Sequence, residues 1–416
     1  MISRRTFVHG TAAAATLATT GARAQASEIA IGILFPTSGA GAQVGIDARH
    51  AIDTALDVIN NPHSDLELPL AKGSGLPGLG GAKLKVVAAD HQSDPQKGRA
   101  EAERLITQDK VPALIGSYQS AVAATISQTA ERYQVPYMAA DNSSPSLTRR
   151  GLRYIFRPGA HDEMFSTAMF DFLDEMKKKG AKIETLALFC EDTIFGTDSA
   201  NVQRKIAGER GYKLVADIKY RSNTPSLTAE VQQLKAANAD VLLPSSYTTD
   251  AILLVKTMNE LGYRPNAILA QDAGFSEKAF YDAVGKDVVG AMTRGSFSLD
   301  LAAKRPTVGR VNEMFKKRSG KDLNDLSSRE FMAMIVLAEA IDRAKAADGT
   351  KIRDALAATD IPGDMTIMPW KRVKFDESGQ NQDADPVLLQ WTGDKFVTFW
   401  PSGAAIAEAK FPMGKM

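Results

Sequence analysis

Hydrophobic residues are spaced in two alternating ways along most of the chain. Short apolar runs rich in β-branched residues predict strands, and the segments between them carry apolar residues three and four positions apart, as on one face of a helix. In "DAILLVKTMNELG", for example, Leu254, Met258 and Leu261 share one face. This alternation predicts parallel sheets covered by helices on both sides. The predicted strands are "IAIGILF", "KLKVVAAD", "ALIGS", "PYMAAD", "LALFC", "KLVADIKY", "DVLLPSS" and "AILAQD".

The alternation is interrupted twice, which predicts two sheets rather than one. The first strand series ends at "RPG", residues 157–159, and the long helix "DEMFSTAMFDFLDEMKKKG" opens a second series. That series ends near residues 290–297, and turn residues at 378–379 and 393–394 then predict antiparallel hairpins. The sequence therefore predicts an α/β fold of two doubly wound parallel-sheet lobes with a cleft between them. The predicted division is residues 27–157 plus 297–365 for lobe 1 and residues 158–296 plus 366–416 for lobe 2.

The first 26 residues have the layout of a cleaved export signal. A basic start is followed by a small-residue, mildly apolar stretch and then by Ala-x-Ala at 22–24 or 24–26. The segment "SRRTFVH" also resembles a twin-arginine signal, and we favour that route over general secretion. We expect cleavage near residues 24–26 and a mature protein that is free in the periplasm, since no later apolar stretch is long enough to span a membrane.

Composition excludes several classes of function. The 416 residues are 44% hydrophobic, which is enough for a sizeable core, and 50 basic against 49 acidic residues leave a formal charge of +1. Without a basic field, nucleic-acid binding is not expected. The single cysteine, Cys190, cannot form an intramolecular disulfide, and the five histidines are too far apart to form a metal pair. We expect no metal and no cofactor.

Catalytic signatures are absent from the sequence as well. There is no G-x-S-x-G, H-E-x-x-H or Walker motif. The glycine-rich loop in "GILFPTSGAGAQVGIDARHAI" lies between a predicted strand and a predicted helix, as a dinucleotide loop would. It lacks the third glycine of the fingerprint, and the next strand ends at Asp90, much too late for the usual acidic residue. An exported nicotinamide-dependent oxidoreductase is therefore a disfavoured alternative.

Four loops join the C-terminal end of a predicted strand to the following helix, and we expect them to meet at the cleft. They are the loop at residues 36–45 and the segments "GSYQSAVAA", "ADNSSPSLT" and "EDTIFGTDSA". Free amides at the helix N-termini, together with several serine hydroxyls, suit a carboxylate or another acceptor-rich group. In the second lobe Asp272 ends an apolar strand, so its carboxylate would either meet a cation such as an ammonium or cap the helix near Ser276.

Together these segments resemble the substrate-binding proteins of branched-chain amino acid type ABC transporters. The resemblance covers essentially the whole mature chain. It implies the type I periplasmic binding fold, with the two lobes joined by a three-stranded hinge, and no enzymatic activity. A ligand-sensing regulator on the same fold is the other alternative. The resemblance rests on the order and spacing of "GILFPTSGAGAQVG", "DHQSDPQKGRAEAERLI", "ALIGSYQSAVAA", "VPYMAADNSSPSLT", "YIFRPGAHD", "EDTIFGTD", "LKAANADVLLPSSY" and "VKFDESGQN".

The resemblance also implies roles for individual residues. Ser120 and the groups at positions 141–143 correspond to those that hold a carboxylate, Asp272 to the acid that meets an ammonium, and Phe195 and Tyr247 to aromatic contacts. The predicted ligand-binding residues are Ser38, Val44, Ser117, Tyr118, Ser120, Asp141, Asn142, Ser143, Phe195, Tyr247 and Asp272.

Departures from the family pattern mean that the sequence does not identify the solute. Val44 replaces a tryptophan of the leucine binders, Asp141 and Asn142 stand where small residues are usual, and Phe195 lacks the hydroxyl of the usual tyrosine. We expect a small polar solute, either an amino acid, an amide, or an aromatic or other carboxylate. The expected protein partners are the membrane permease and ATPase subunits of an ABC importer, and the protein is expected to act as a monomer.

Overall fold

Five parallel strands form the sheet of the first lobe. The computed structural model describes residues 28–39 and 41–413, so the predicted export signal lies outside the described residues. The strands are β1 (Glu28–Phe35), β2 (Lys83–Asp90), β3 (Leu114–Gly116), β4 (Tyr137–Ala139) and β5 (Ile155–Phe156). They are ordered β2-β1-β3-β4-β5, and β1 pairs with β2 along its whole length. The carboxyl ends of all five strands therefore lie at one edge.

The second lobe has a mixed sheet. Its strands are β6 (Thr185–Glu191), β7 (Lys213–Tyr220), β8 (Val241–Ser245), β9 (Leu269–Ala270), β10 (Met292–Gly295), β13 (Val387–Trp391) and β14 (Phe396–Trp400). The parallel part is ordered β7-β6-β8, and a parallel bridge between Leu242 and Ile268 continues it to β9 and β10. The hairpin β13–β14 completes the sheet antiparallel to β10. A separate antiparallel pair consists of β11 (Asp360–Pro362) and β12 (Arg372–Lys374).

Helices cover both sheets, as the sequence predicts. They are α1 (Ala42–Asn60), α2 (Pro95–Thr107), α3 (Ser120–Tyr133), α4 (Asp162–Lys178), α5 (Ile194–Glu209), α6 (Thr228–Ala237), α7 (Thr248–Glu260), α8 (Lys278–Val284), α9 (Pro306–Ser319), α10 (Asp325–Ala344) and α11 (Gly349–Ala357). No helix within the described ranges is long and apolar enough to cross a membrane.

Helix α10 begins at Asp325, before the start at Phe331 that its apolar periodicity predicts. The reason is a capping box, in which the Asn324 side chain accepts the Ser327 N–H and the Ser327 hydroxyl accepts the Asn324 N–H. The extra turns bring charged side chains into a helix that is otherwise apolar and buried.

One hydrophobic core of the first lobe lies between its sheet and helices α1 and α10. Apolar side chains of β1, α1 and α10 are buried together there. Ile367, Trp370 and Val373 lie in the same core, although the sequence assigns residues 366–416 to the second lobe. We therefore place the point at which the chain passes from the first lobe to the second near Asp385, just before β13.

Three chain segments cross between the lobes, and hydrogen bonds tie them together. At the first crossing Arg157 donates its N–H to the Gly379 carbonyl and accepts the N–H of Asn381 from the third crossing, while the Gln380 amide donates to the Gly159 carbonyl at 2.8 Å. At the second crossing the N–H groups of residues 296 and 297 donate to the Asp325 carboxylate at the start of α10. The crossings form a narrow connection about which the lobes can rotate.

Candidate ligand-binding site

Three helices of the two lobes begin at the cleft. Helix α3 begins at Ser120 without a side-chain cap, and α7 begins at Thr248, also without one. Helix α5 is capped by Thr193, whose hydroxyl accepts the Gly196 N–H at 3.1 Å. The first amides of uncapped helices have no partner within their own helix, so α3 and α7 can offer N–H groups to a ligand.

Seven of the eleven predicted residues line one small cavity between the lobes. We call it the aromatic cavity, because the Tyr247 ring lies 5.0 Å from that of Tyr118 and 5.3 Å from that of Phe195, measured between centroids. Its volume is about 10 Å³, and both lobes contribute to its wall. It is lined by Tyr118, Ser120, Asp141, Ser143, Phe195, Tyr247, Asp272, Ala273, Arg294, Leu326 and Arg329.

Two buried arginines organise the carboxylates of this cavity. Asp272 Oδ2 lies 2.5 Å from Arg294 Nη1 and 3.1 Å from Arg329 Nη2. Arg329 also lies 2.9 Å from Asp141 Oδ1 and 2.5 Å from Asp325 Oδ2. Burial raises the pKa of Asp141 to about 7 and that of Asp272 to about 6, although the arginines oppose the shift. Asp272 Oδ1 has no hydrogen-bond partner among the described residues, so it is available to a ligand.

The backbone at Asp272 is unusual as well. Asp272 and Ala273 have φ values of 60° and 54°, which residues with a Cβ rarely adopt. Asp272 makes no side-chain cap to the short turn that follows it, so the capping role considered from the sequence is wrong. Its carboxylate is turned toward the arginines instead.

The sequence interpretation missed Arg294 and Arg329. Each is only 2% exposed, whereas arginine is almost never fully buried without a partner. A signal was present, because Arg294 interrupts the apolar strand run "VVGAMTRGSF" and Arg329 precedes the apolar run of α10. Charged residues inside apolar runs indicate buried ion pairs, but only the fold shows which carboxylates they meet.

Four predicted residues lie outside the aromatic cavity. Ser38 is exposed, and its hydroxyl donates to Asp90 at 2.6 Å. Ser117 is buried and donates to the Gln119 carbonyl. The Asn142 side chain serves the protein itself, because its Oδ1 accepts the Ser117 N–H and its Nδ2 donates to the Tyr118 carbonyl at 3.0 Å. Val44 lines the adjoining cavity described below.

One residue at the first crossing positions a loop of the site without lining the cavity. Arg157 Nη1 donates to the carbonyl of Asn142 at 3.0 Å and to that of Ser144 at 2.7 Å. Burial lowers the pKa of Arg157 to about 9, which still leaves it charged at neutral pH. The crossing is thus hydrogen-bonded directly to the loop that carries Asp141 and Ser143.

A second cavity of about 10 Å³ adjoins the first, and four of its nine lining residues are acidic. We call it the acidic cavity. It shares Asp141 and Leu326 with the aromatic cavity. Asp47 and Glu277 also line an open groove of about 960 Å³. The acidic cavity is lined by Val44, Asp47, Ala48, Asp141, Glu277, Asn324, Leu326, Ser327 and Glu330.

In the loop at residues 36–45, Gly45 serves packing. A Cβ on Gly45 would lie 2.0 Å from the Pro36 carbonyl oxygen, so only glycine lets α1 approach the loop this closely. In the described part of the chain, no group of three or more His, Cys, Asp or Glu side chains is placed to hold a metal ion. The arrangement can hold a small polar molecule by hydrogen bonds, charges and ring contacts.

Comparisons with known proteins agree over nearly the whole chain. A family model described as a periplasmic binding protein matches residues 28–395. The Leu/Ile/Val-binding protein homolog 7 of Brucella abortus (strain 2308) is 31% identical over 399 residues, which cover 94% of this chain and 96% of the relative.

Solved structures show the same fold. A leucine binding protein from Thermotoga maritima MSB8 has a TM-score of 0.75 at 22% identity, covering 89% of this chain and 97% of that one. A solute binding protein of an ABC transporter from Rhodopseudomonas palustris BisB5, in complex with 3,4-dihydroxybenzoic acid, has a TM-score of 0.73 at 18% identity, covering 93% and 98%.

The predicted fold class is confirmed, and the relatives are substrate-binding proteins of transporters rather than enzymes. The oxidoreductase alternative is therefore set aside. The chain belongs to the periplasmic binding protein family, among the substrate-binding proteins of branched-chain amino acid type ABC transporters.

Proposed function

We propose that the chain is the periplasmic solute-binding component of an ABC importer. It binds a small amino acid, or a related carboxylate or amide, between its lobes and delivers it, as a monomer, to a membrane permease with ATPase subunits. The observation that carries the proposal is the aromatic cavity, which seven of the predicted side chains line and to which both lobes contribute. Because such a site is complete only when the lobes are together, binding favours the closed shape that a permease can recognise.

Each part of the cavity suits one part of an amino acid. The N-terminus of α3, with the hydroxyls of Ser120 and Ser143, suits a carboxylate. Asp272 Oδ1 suits an ammonium group, since it is buried and has no other partner within the described residues. The rings of Phe195 and Tyr247 suit the side chain.

Binding requires the lobes to separate first. A cavity of about 10 Å³ has room for about one water molecule, so a solute of several heavy atoms enters only an open cleft. A micromolar dissociation constant corresponds to about 8 kcal/mol, which buried hydrogen bonds, one charge pair and a ring contact can supply after ordering costs.

The test begins with a thermal-shift screen of amino acids, amides, urea, and aromatic and dicarboxylic acids. A ligand at about 100 times its dissociation constant stabilises a protein by about 2.7 kcal/mol, which such a screen detects. Calorimetry with the best solute then compares the wild type with Ser120→Ala and Asp272→Asn. Each substitution is expected to weaken binding about tenfold, because each removes one charged or charge-assisted contact.

Ser226→Ala is the matched control, because Ser226 is exposed on the second lobe and bonds only to its own loop. It is expected to bind as the wild type does. Unchanged binding by the double variant of Ser120 and Asp272 would place the solute somewhere other than the aromatic cavity.

We also propose that the protein reaches the periplasm through a cleaved signal that ends near residues 24–26. The Ala-x-Ala pattern in the sequence and the family to which the chain belongs support this location.

A further inference from the structure

Two glutamates of the acidic cavity have carboxyl oxygens without a hydrogen-bond partner among the described residues. Glu330 is 1% exposed, and neither of its Oε atoms accepts a hydrogen bond from any described residue. Glu277 is 3% exposed, and its Oε1 is likewise unpartnered. By contrast, Asp47 and Asp141 each have a cationic side chain 2.9 Å away. Buried polar groups are almost always hydrogen-bonded, so three unused carboxyl oxygens at one small cavity require an explanation.

The two unpartnered glutamates come from different lobes. Glu330 lies on α10 of the first lobe, and Glu277 directly precedes α8 of the second. Burial, and then the neighbouring carboxylates, raise the pKa of both groups well above the usual range. A cation placed between them would supply the missing donors and would at the same time hold the lobes together.

The acidic cavity shares lining residues with two other spaces. Asp141 and Leu326 also line the aromatic cavity, whereas Asp47 and Glu277 also line the open groove. A solute seated in the aromatic cavity can therefore extend toward the glutamates when the side chains between the cavities move, and a longer one can continue toward the groove.

We infer that Asp47, Asp141, Glu277 and Glu330 form a second subsite of the cleft, which accepts a positively charged nitrogen of the solute. This inference rests on the proposed function and narrows its substrate class to solutes with a cationic group beyond the part held in the aromatic cavity. The cation is organic, an ammonium, amidinium or guanidinium, because no set of described side chains has the arrangement that a metal ion needs. These groups carry several N–H donors, which can bond to the several carboxyl oxygens that lack a hydrogen-bond partner.

The test uses two pairs of probes that differ in charge and little in shape. L-Arginine and L-citrulline differ only in a guanidinium against a ureido group, and benzamidine and benzamide differ in an amidinium against an amide. Calorimetry near pH 7 measures all four. In at least one pair the cationic member is expected to bind about tenfold more tightly than its neutral partner, since hydrogen bonds to charged groups are the stronger ones.

Glu277→Gln and Glu330→Gln locate the effect. Each keeps the side-chain shape but cannot ionise, so it cannot form the carboxylate that would pair with a bound cation. Each is therefore expected to reduce the preference for the cation to about twofold or less and to leave the neutral probe within about twofold. Glu67→Gln is the matched control, since Glu67 pairs with Lys72 at the surface and has a side chain that is 67% exposed. It is expected to keep the full preference.

Three results would overturn the inference while the proposed function stands. They are equal binding of both members of each pair, a preference that survives both glutamine variants, and no binding of any of the four probes by a protein that binds another solute of the screen. No binding of any screened solute would instead overturn the proposed function.

Discussion

Glu191 is a buried residue that acts on the backbone of the site. Its Oε1 accepts a hydrogen bond from the Thr193 hydroxyl at 2.8 Å, and its Oε2 accepts the Tyr247 N–H at 3.1 Å, which ties the start of α5 to that of α7. Burial raises its pKa to about 8, and the nearby carboxylates of Asp250 and Asp192 add to the shift, while the two hydrogen bonds oppose it. The group is therefore protonated in the folded protein at pH values where the unfolded chain has ionised it.

This difference predicts a pH dependence of stability. The folded-state pKa of about 8 exceeds the usual 4.5, so the contribution of Glu191 is fully present below about pH 4.5 and is lost as the pH rises toward 8. Glu191→Gln cannot ionise. Its amide oxygen can still accept the Tyr247 N–H, and its amide N–H can donate to the Thr193 hydroxyl in place of the bond that Glu191 accepts. We expect the variant to gain stability relative to the wild type between about pH 5 and pH 8, by an amount on the order of 2 kcal/mol.

Urea unfolding at each pH measures the difference in free energy of unfolding between the two proteins. Two buried histidines make the free energy of unfolding depend on pH in the opposite direction, because burial lowers the pKa of His91 to about 4 and that of His161 to about 3. They contribute equally to both proteins and cancel in the difference. A difference that did not change with pH would contradict the raised pKa of Glu191.

Among single residues, the sequence predicted most of the uncharged side chains that line the aromatic cavity, but it missed both buried arginines. Ser120, Tyr118 and Tyr247 were predictable because loops at the carboxyl ends of parallel strands meet at one edge. Arg294 and Arg329 were harder to predict. Their positions in or beside apolar runs indicate burial, but partners such as Asp272 for Arg294 and Asp141 for Arg329 are distant along the chain, and sequence spacing does not identify them.

Among the elements, α1 depends on a close approach to the loop that precedes it. The position of Gly45 leaves no room for a side chain, since a Cβ would meet the Pro36 carbonyl oxygen at 2.0 Å and the Phe35 Cβ at 3.3 Å. The same loop borders the cleft, so an obstruction here would displace both the loop and the first turns of α1.

Gly45→Ala is expected to lower the free energy of unfolding by about 1–3 kcal/mol, as overpacking does. Gly208→Ala is the matched control, because Gly208 also lies in a helix but has nothing within 4 Å of an added Cβ. Alanine there should stabilise the protein by about 0.5–1 kcal/mol, since it reduces the backbone freedom of the unfolded chain. Chemical unfolding measures the change in the free energy of unfolding for each variant. Equal changes in the two variants would contradict the close contact at Gly45.

Long periodic segments were predicted well at the scale of elements. The sequence predicts the bounds of α1, β2 and β7 because apolar spacing runs through each of them from end to end. It misses α11, which is short, and the early start of α10, which depends on a capping box rather than on apolar residues. Short elements offer too few apolar positions for a period to be recognised.

For the whole molecule, the closed conformation brings rims of both lobes into contact. The Ser144 hydroxyl donates to Asp198 across the cleft, and the Tyr118 and Tyr247 rings meet from opposite sides. The narrow crossings permit rotation, and the contacts at the rim favour closure. We expect the solute to add its own contacts to this same closed form.

Export is a further property of the whole chain that can be tested. If the twin-arginine route is used, changing Arg4 and Arg5 to Lys should leave the precursor in the cytoplasm, because the route recognises that pair. Arg23→Lys, near the expected cleavage point, is the control and should export normally. Cell fractionation measures the export of each variant, and the mass of the periplasmic form gives the cleavage point. A mature protein starting far from residues 24–26 would contradict the predicted cleavage.

The packing of α10 against α1 in the first lobe has a consequence for biosynthesis. More than half of the chain separates these two helices, yet they are buried together against β1. A ribosome therefore releases the first five strands long before the helix that completes their core. We expect the amino-terminal half to stay unfolded during synthesis, which leaves time for a chaperone to engage the chain before it folds.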